Sequence, residues 1–154
     1  MEKRQDFIET FAGKGNLTEL KKLLDLGYSQ LELDVALENA IAYSQVEIAD
    51  YLIELGADFS NYNYQGVYYA VHNGELEGLK YSILKGVDID VNNGMILNTS
   101  IITATNSKNT EMVSWILDKG ANPNYLTKDS LEIVDRYGTL ELKQLIRNAT
   151  QQRL

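Results

Sequence analysis

The hydrophobic positions of this chain recur at helical spacing, and four of the apolar runs end in a glycine. One example is Leu52-Ile53-Glu54-Leu55-Gly56, and the other runs end at Gly27, Gly86 and Gly120. Successive glycines are 29, 30 and 34 residues apart. A glycine just past the last helical turn adopts the left-handed conformation that ends a helix. The pattern therefore predicts a repeating unit in which the last helix stops at a glycine.

A further helix is predicted ahead of each glycine-capped helix, and we expect it to be the shorter of the pair. Turn-forming residues such as Ser44, Asn73 and Gly74 separate the two helices of a pair. The five predicted pairs are 8–14 with 17–26, 37–43 with 46–55, 67–73 with 76–85, 101–107 with 110–119, and 131–137 with 140–146. They fill residues 1–154 as a single domain, with repeats at approximately 5–33, 34–63, 64–94, 95–127 and 128–154.

The run from Val46 to Asp58 resembles the second helix and turn of an ankyrin repeat, and residues 17–27 and 110–124 are similar. The resemblance covers roughly residues 7–148. The Thr-Pro-Leu-His start of the family's first helix is missing, and three of the four inter-repeat fingers are short. A tetratricopeptide array is the alternative, but these helices lack its Trp, Gly and Tyr signature. The resemblance implies an all-α, ankyrin-like solenoid of about five helix-turn-helix repeats with short fingers, whose first helices line a concave face.

Polar residues occupy both ends of the predicted array. A solenoid needs end units with a polar outer face. We therefore expect polar caps formed by residues 2–6, by Lys143, Gln144, Arg147 and Asn148, and by residues 151–153.

Composition narrows the classes of function. The 154 residues carry a net charge of -8 and no cysteine, so disulfides, thiolate metal sites and cysteine nucleophiles are excluded. An acidic chain is a poor nucleic-acid binder, because phosphate contacts need a basic face. No apolar run is long enough to span a membrane, and no secretory signal is visible. We expect a cytoplasmic monomer that binds neither nucleic acid nor membrane.

The negative charge is concentrated in one segment. Residues 31–60 hold seven acidic residues and no Lys or Arg. A local field of this kind attracts a partner with a basic surface.

A segment and a single residue have some features of chemical sites, but a structural or surface role is favoured for both. The segment from Asp88 to Gly94 resembles a calcium loop, but its sixth position is Asn93 and its twelfth is Thr99, where Gly and Glu are required. His72 is the single histidine, and no nucleophile motif accompanies it. We therefore expect no metal, no cofactor and no catalytic residue, with an enzyme using His72 and nearby carboxylates as the weaker alternative.

Tyrosine is abundant, with ten copies against three Phe and one Trp. Tyrosine suits interfaces because it combines apolar area with a hydroxyl group. Tyr51, Tyr69 and Tyr81 are expected in the core, and Trp115 in the core or on the convex side. The predicted partner-binding surface consists of Glu32, Asp34, Glu38, Tyr43, Tyr62, Tyr64, Tyr68, His72 and Asn73.

The function expected from these features is protein binding through the concave face. A small acidic solenoid suits an inhibitor or an immunity or antitoxin-type protein that sequesters a basic partner protein. The alternative is an adaptor or effector that recruits a host protein. The sequence leaves both roles open.

Overall fold

The structure is a computed structural model that describes residues 2–151, with side chains described for residues 3–151. The ends of the expected polar caps, namely the side chain of Glu2 and residues Gln152 and Arg153, lie outside the described residues. Within residues 2–151 there are ten α-helices, one 3-10 helix and no strand. The helices are α1 (Glu2–Lys14), α2 (Leu17–Asp25), α3 (Gln30–Ala42), α4 (Val46–Glu54), α5 (Asn61–His72), α6 (Leu76–Leu84), α7 (Val91–Ser107), α8 (Glu111–Asp118), α9 (Lys128–Tyr137) and α10 (Leu140–Gln151), with the 3-10 helix at Pro123–Tyr125. The all-α prediction and the five helix pairs are confirmed.

In all four pairs that end at a cap glycine the first helix is the longer one, so the expectation that it is the shorter one is wrong for these pairs. Helix α3 has 13 residues and α4 has 9. Helix α3 begins at Gln30 because Ser29 and Glu32 form a capping box. The Ser29 hydroxyl accepts the N–H of Glu32 at 3.1 Å, and the Glu32 carboxylate accepts the N–H of Ser29 at 3.0 Å. The finger ahead of α3 therefore shrinks to a few residues.

The cap glycines act as predicted. Gly27, Gly56, Gly86 and Gly120 have φ values of 111°, 102°, 105° and 91°. A Cβ atom added at any of them would meet nothing within 4 Å. The requirement for glycine at these helix ends is therefore conformational and does not come from crowding.

Cα packing divides the chain into two compact units, unit 1 (Met1–Gly86) and unit 2 (Val87–Leu154). In unit 1, α3 lies between α1 and α5, and each of these three first helices packs against the helix that follows it. Leu33, Leu37 and Ile41 of α3 are buried at the centre with Leu20 and Leu52 of the second helices. The first-helix layer of unit 1 is therefore held on one side by an aliphatic core.

In unit 2, α7 packs against α8 and α9, and α10 packs against α9. Ile96, Leu97 and Ile101 of α7 are fully buried. The calcium-like stretch forms a turn followed by the start of α7: Asp88 accepts the N–H of Asp90 at 2.9 Å, and Asp90 accepts the N–H of Asn122 at 2.9 Å. Among the residues that the structure describes, no group of three or more His, Asp or Glu side chains is placed to hold a metal ion.

Within residues 2–151, no helix is both long enough and apolar enough to cross a bilayer.

Candidate functional site

A groove of about 470 Å³ runs along the first-helix layer of unit 1, and we refer to it as the unit 1 groove. Four predicted site residues line it, namely Glu38, Tyr43, His72 and Asn73. Five further lining residues were not predicted, namely Glu9, Asn39, Ala42, Gln65 and Tyr69. Helices α1, α3 and α5 all contribute, so residues far apart in sequence form one surface.

Helix geometry explains which residues of α5 face the groove. Gln65, Tyr69 and His72 are four and three residues apart, which places them on one side of a helix. The neighbouring helix comes close at Gly66, where an added Cβ would lie 2.8 Å from the Cα of Glu38. Since real Cβ contacts are not this short, a glycine at this position allows α5 to lie directly against α3.

Glu38 is one of two acidic residues in the groove lining, with Glu9, and is only 8% exposed. Its Oε1 accepts a hydrogen bond from Asn61 Nδ2 at 2.7 Å, and its Oε2 accepts one from Gln65 Nε2 at 3.4 Å. Burial raises the pKa of Glu38, and the negative charges of Asp34 and Glu9 raise it further. The hydrogen bond from Asn61 opposes this rise without cancelling it. Glu38 is thus a carboxylate that a cation in the groove would stabilise.

Three aromatic side chains, Tyr43, Tyr69 and His72, also line the groove. Tyr43 follows the last residue of α3 and is exposed, as is Tyr69 on α5. Tyr68 stacks on His72 with centroids 5.8 Å apart and planes 15° apart, and it meets Tyr69 edge-on at 5.2 Å. His72 is therefore part of an aromatic wall.

The expectation that Tyr69 belongs to the core is wrong, because its side chain is 41% exposed. The small residues Val67, Ala70 and Val71 occupy the buried side of α5 instead. They suit the close approach of α5 to α3, which leaves no space for a tyrosine ring. Tyr81 is buried as predicted.

Glu32 and Asp34 lie in α3 and not in a finger, and both bind partners within the chain. Glu32 Oε2 accepts from Arg4 Nε at 2.8 Å. Burial raises the pKa of Glu32, but hydrogen bonds from Ser29 and the charge of Arg4 outweigh this effect and leave the pKa lowered. Asp34 is 6% exposed, and its Oδ1 accepts the N–H of Asp58 at 2.8 Å. Neither acid lines the groove, and their role in partner binding stays a prediction.

Tyr62 and Tyr64 lie at the start of α5, also outside the groove lining. Tyr62, Asn63 and Tyr64 have φ values of 47°, 58° and 64°, a left-handed turn that is unfavourable for residues with a Cβ atom. Tyr62 is exposed and Tyr64 half-buried. Tyr68 reaches the groove only through its stacking on His72. These three tyrosines therefore remain predicted contacts beside the groove.

Unit 2 has a groove of different character, about 500 Å³ in volume. Its lining is more apolar, with Lys108 as its one charged residue, and consists of Ile102, Thr105, Asn106, Lys108, Ile133 and Tyr137. The acidic and aromatic combination of the unit 1 groove is absent from this lining.

Comparison with known proteins agrees with this architecture. Residues 97–128 match the family model described as Ankyrin repeat. A protein of Acanthamoeba polyphaga mimivirus that is named as an ankyrin repeat protein is 28% identical over 134 residues, which is 82% of this chain. The chain spans about a third of that relative's length, 34%.

The fold has a counterpart among solved structures. The crystal structure of an ankyrin repeat domain from Acinetobacter baumannii matches with a TM-score of 0.51 and 21% sequence identity, covering 93% of this chain and 97% of that one. At this identity the match shows a shared helical solenoid fold. Taken with the family match over residues 97–128 and the similarity to the viral protein, it supports an ankyrin-like helical solenoid for this chain.

Proposed function

We propose that this chain is a protein-binding module whose unit 1 groove holds a basic segment of a partner protein. Ankyrin repeats are generally protein–protein interaction modules that use an extended surface. The observation that carries the proposal is the groove lining, in which Glu9 and Glu38 lie with three aromatic side chains and no Lys or Arg. A basic segment complements this lining in charge and offers alkyl surface to the rings.

Acidic and aromatic residues contribute to binding in different ways in this proposal. Negative charge in residues 31–60 accelerates the encounter with a basic partner, an effect that salt weakens. The rings of Tyr43 and Tyr69 slow dissociation, because buried aromatic contacts contribute much of the binding energy at an interface. Partner binding should therefore depend on salt mainly through its association rate.

We further propose that the biological role is inhibition by sequestration, in the manner of an immunity or antitoxin-type protein. The support is the locally acidic charge together with a groove that suits occupation by another protein's basic surface. An adaptor that recruits a host protein would use the same groove. A cytoplasmic location and a monomeric state belong to this proposal as predictions from the sequence.

Catalysis is not part of the proposed function. The ankyrin fold is typically a non-enzymatic binding scaffold. His72 is exposed and stacked on Tyr68, which suits a ligand contact at the groove better than a general base.

The proposal is tested with two matched variants, Tyr69→Ala in the groove and Tyr28→Ala outside it. The two side chains are similarly exposed, at 41% and 46%. Proteins captured from a lysate by the wild-type chain are compared with those captured by each variant, and a protein lost only with Tyr69→Ala is purified. The free energy of binding this protein should weaken by about 2 kcal/mol in Tyr69→Ala, as expected for a central interface residue. It should be unchanged in Tyr28→Ala. Equal binding of every captured protein to both folded variants would show that the groove is not the site.

A further inference from the structure

We propose that the unit 1 groove selects arginine over lysine, so that the bound segment of the partner inserts a guanidinium group between the aromatic rings. This inference rests on the proposed function and specifies its ligand. Three properties of the groove support it: its hydrogen-bond acceptors, its two carboxylates without an ion pair, and its aromatic side chains.

The side chains that line the groove are rich in hydrogen-bond acceptors. Asn39 Nδ2 donates to the carbonyl of Val35 at 3.0 Å, and Asn73 Nδ2 donates to the carbonyl of Ala42 at 3.2 Å. Gln65 likewise directs its amide nitrogen to Glu38. Each of these amide groups already donates one hydrogen bond within the chain, while the oxygens of Asn39 and Asn73 remain available as acceptors beside two carboxylates. A ligand rich in donors complements this lining.

The two carboxylates have no cationic partner within residues 3–151. Among the described residues, neither Glu9 nor Glu38 takes part in an ion pair. Glu9 accepts a single hydrogen bond from Gln5 at 3.1 Å, and Glu38 accepts from neutral amides only. Each carboxylate oxygen has two lone pairs, so both groups can accept further donors. A cation inserted here would neutralise charge that the described part of the chain leaves uncompensated.

The aromatic walls distinguish the two basic side chains. Tyr43 comes from the end of α3, whereas Tyr69 and His72 come from α5. A guanidinium group is planar, stacks on aromatic faces and carries five N–H donors, whereas an ammonium group is compact, strongly hydrated and carries three. Only the guanidinium can stack on a ring and at the same time serve several acceptors.

The experiment uses three labelled peptides that differ at one central residue, which is Arg, Lys or the uncharged arginine analogue citrulline. Each has the form Gly-Ser-Gly-X-Gly-Ser-Gly, and binding to the full chain is followed by fluorescence anisotropy at low salt. We expect the Arg peptide to bind at least tenfold more tightly than the Lys peptide, with the citrulline peptide weakest. Chemical-shift changes in the Tyr43 and Tyr69 ring signals should accompany binding of the Arg peptide.

Variants that remove one carboxylate charge test whether the peptide binds in the groove. Glu9→Gln keeps an acceptor for Gln5 but removes the charge, and it should weaken the Arg peptide at least fivefold. Glu38→Gln should do the same. Because Glu38 is buried, its substitution also affects the packing of the chain, so Glu9→Gln is the independent test. Glu111→Gln, at an exposed position of α8 outside both the lining and the acidic residues 31–60, is the matched control and should leave binding unchanged.

The outcomes separate this inference from the function on which it rests. Equal affinity for the Arg and Lys peptides, with both weakened by Glu9→Gln, would overturn arginine selectivity and leave a groove for basic segments in general. Absence of Arg-peptide binding, or binding that ignores both groove variants, would overturn the inference itself. The proposed function is then decided separately, by whether the captured partner depends on Tyr69.

Discussion

The side-chain amide of Asn61 donates a 2.7 Å hydrogen bond to Oε1 of Glu38, joining the start of α5 to the middle of α3. The same α3 residue meets α5 at Gly66, where an added Cβ would come within 2.8 Å of the Glu38 Cα. Glu38 therefore contributes both to the contact between two repeats and to the acidic lining of the unit 1 groove. A ligand that binds this carboxylate also acts on the contact between α3 and α5.

Ionisation of Glu38 should make stability depend on pH. Burial raises the pKa of Glu38 in the folded chain above its ordinary value of 4.5, so the protonated form is favoured on folding. The sign follows from linkage. Below pH 4.5 the carboxyl is protonated in both states, and as the pH rises through the folded pKa the wild type loses free energy of unfolding. Glu38→Gln lacks this loss, so its stability relative to wild type should increase from pH 4 to pH 8. Urea unfolding across this range measures the difference, and a difference independent of pH would contradict the prediction.

Removing the Asp34 carboxylate should destabilise unit 1. Asp34 Oδ1 accepts both the N–H of Asp58 and the Nε2 of Gln30 at 2.8 Å. Asp34→Ala leaves these donors without their acceptor and should cost about 1–3 kcal/mol. Asp34→Asn keeps an oxygen at the same position and is expected to lose less. Denaturant unfolding of both variants checks this, and equal losses would show that the charge matters more than the acceptor.

Gly78 should not tolerate even a methyl group. A Cβ atom at Gly78 of α6 would lie 2.2 Å from the carbonyl oxygen of Ile41, and a backbone atom cannot move aside as a side chain can. Gly78→Ala should therefore destabilise the chain by about 1–3 kcal/mol through overpacking, although alanine is the better helix former. The neighbouring exposed variant Glu77→Ala should change the thermal midpoint far less. A Gly78→Ala chain as stable as the control would mean that α6 and α3 can separate without cost.

Loss of one hydroxyl group should shift the pKa of Asp50. Tyr81 Oη donates to Asp50 Oδ1 at 2.5 Å, and this hydrogen bond lowers the pKa of Asp50 more than the nearby Lys85 does. Tyr81→Phe should therefore raise the pKa of Asp50 towards its ordinary value of 3.8. An NMR titration of the carboxyl carbon measures the change. Tyr51→Phe is the control, and it should leave the Asp50 titration unaltered.

Features of the fold with a local cause could be predicted from the sequence. Helices α4 and α6 lie within one residue of their predicted bounds, and each stops before a glycine with positive φ. Apolar spacing and a left-handed glycine depend on neighbours within one or two turns of the chain. The start of α3 was also encoded locally, by Ser29 and Glu32, and was missed because the apolar pattern alone begins later.

Tertiary structure determines which residues line the unit 1 groove. Glu38 and Asn61 are 23 residues apart, and only the packing of α5 on α3 buries the first and joins it to the second. The same packing turns Tyr69 outwards, because Val67, Ala70 and Val71 occupy the buried side of α5. The chain by itself determined helices, helix ends and a locally acidic charge, since these follow from nearby residues. The approach of one repeat to the next decided the role of each acidic residue: buried, bound within the chain, or facing a groove. Burial and hydrogen bonding are set by residues distant in sequence, so neighbouring residues could not predict them.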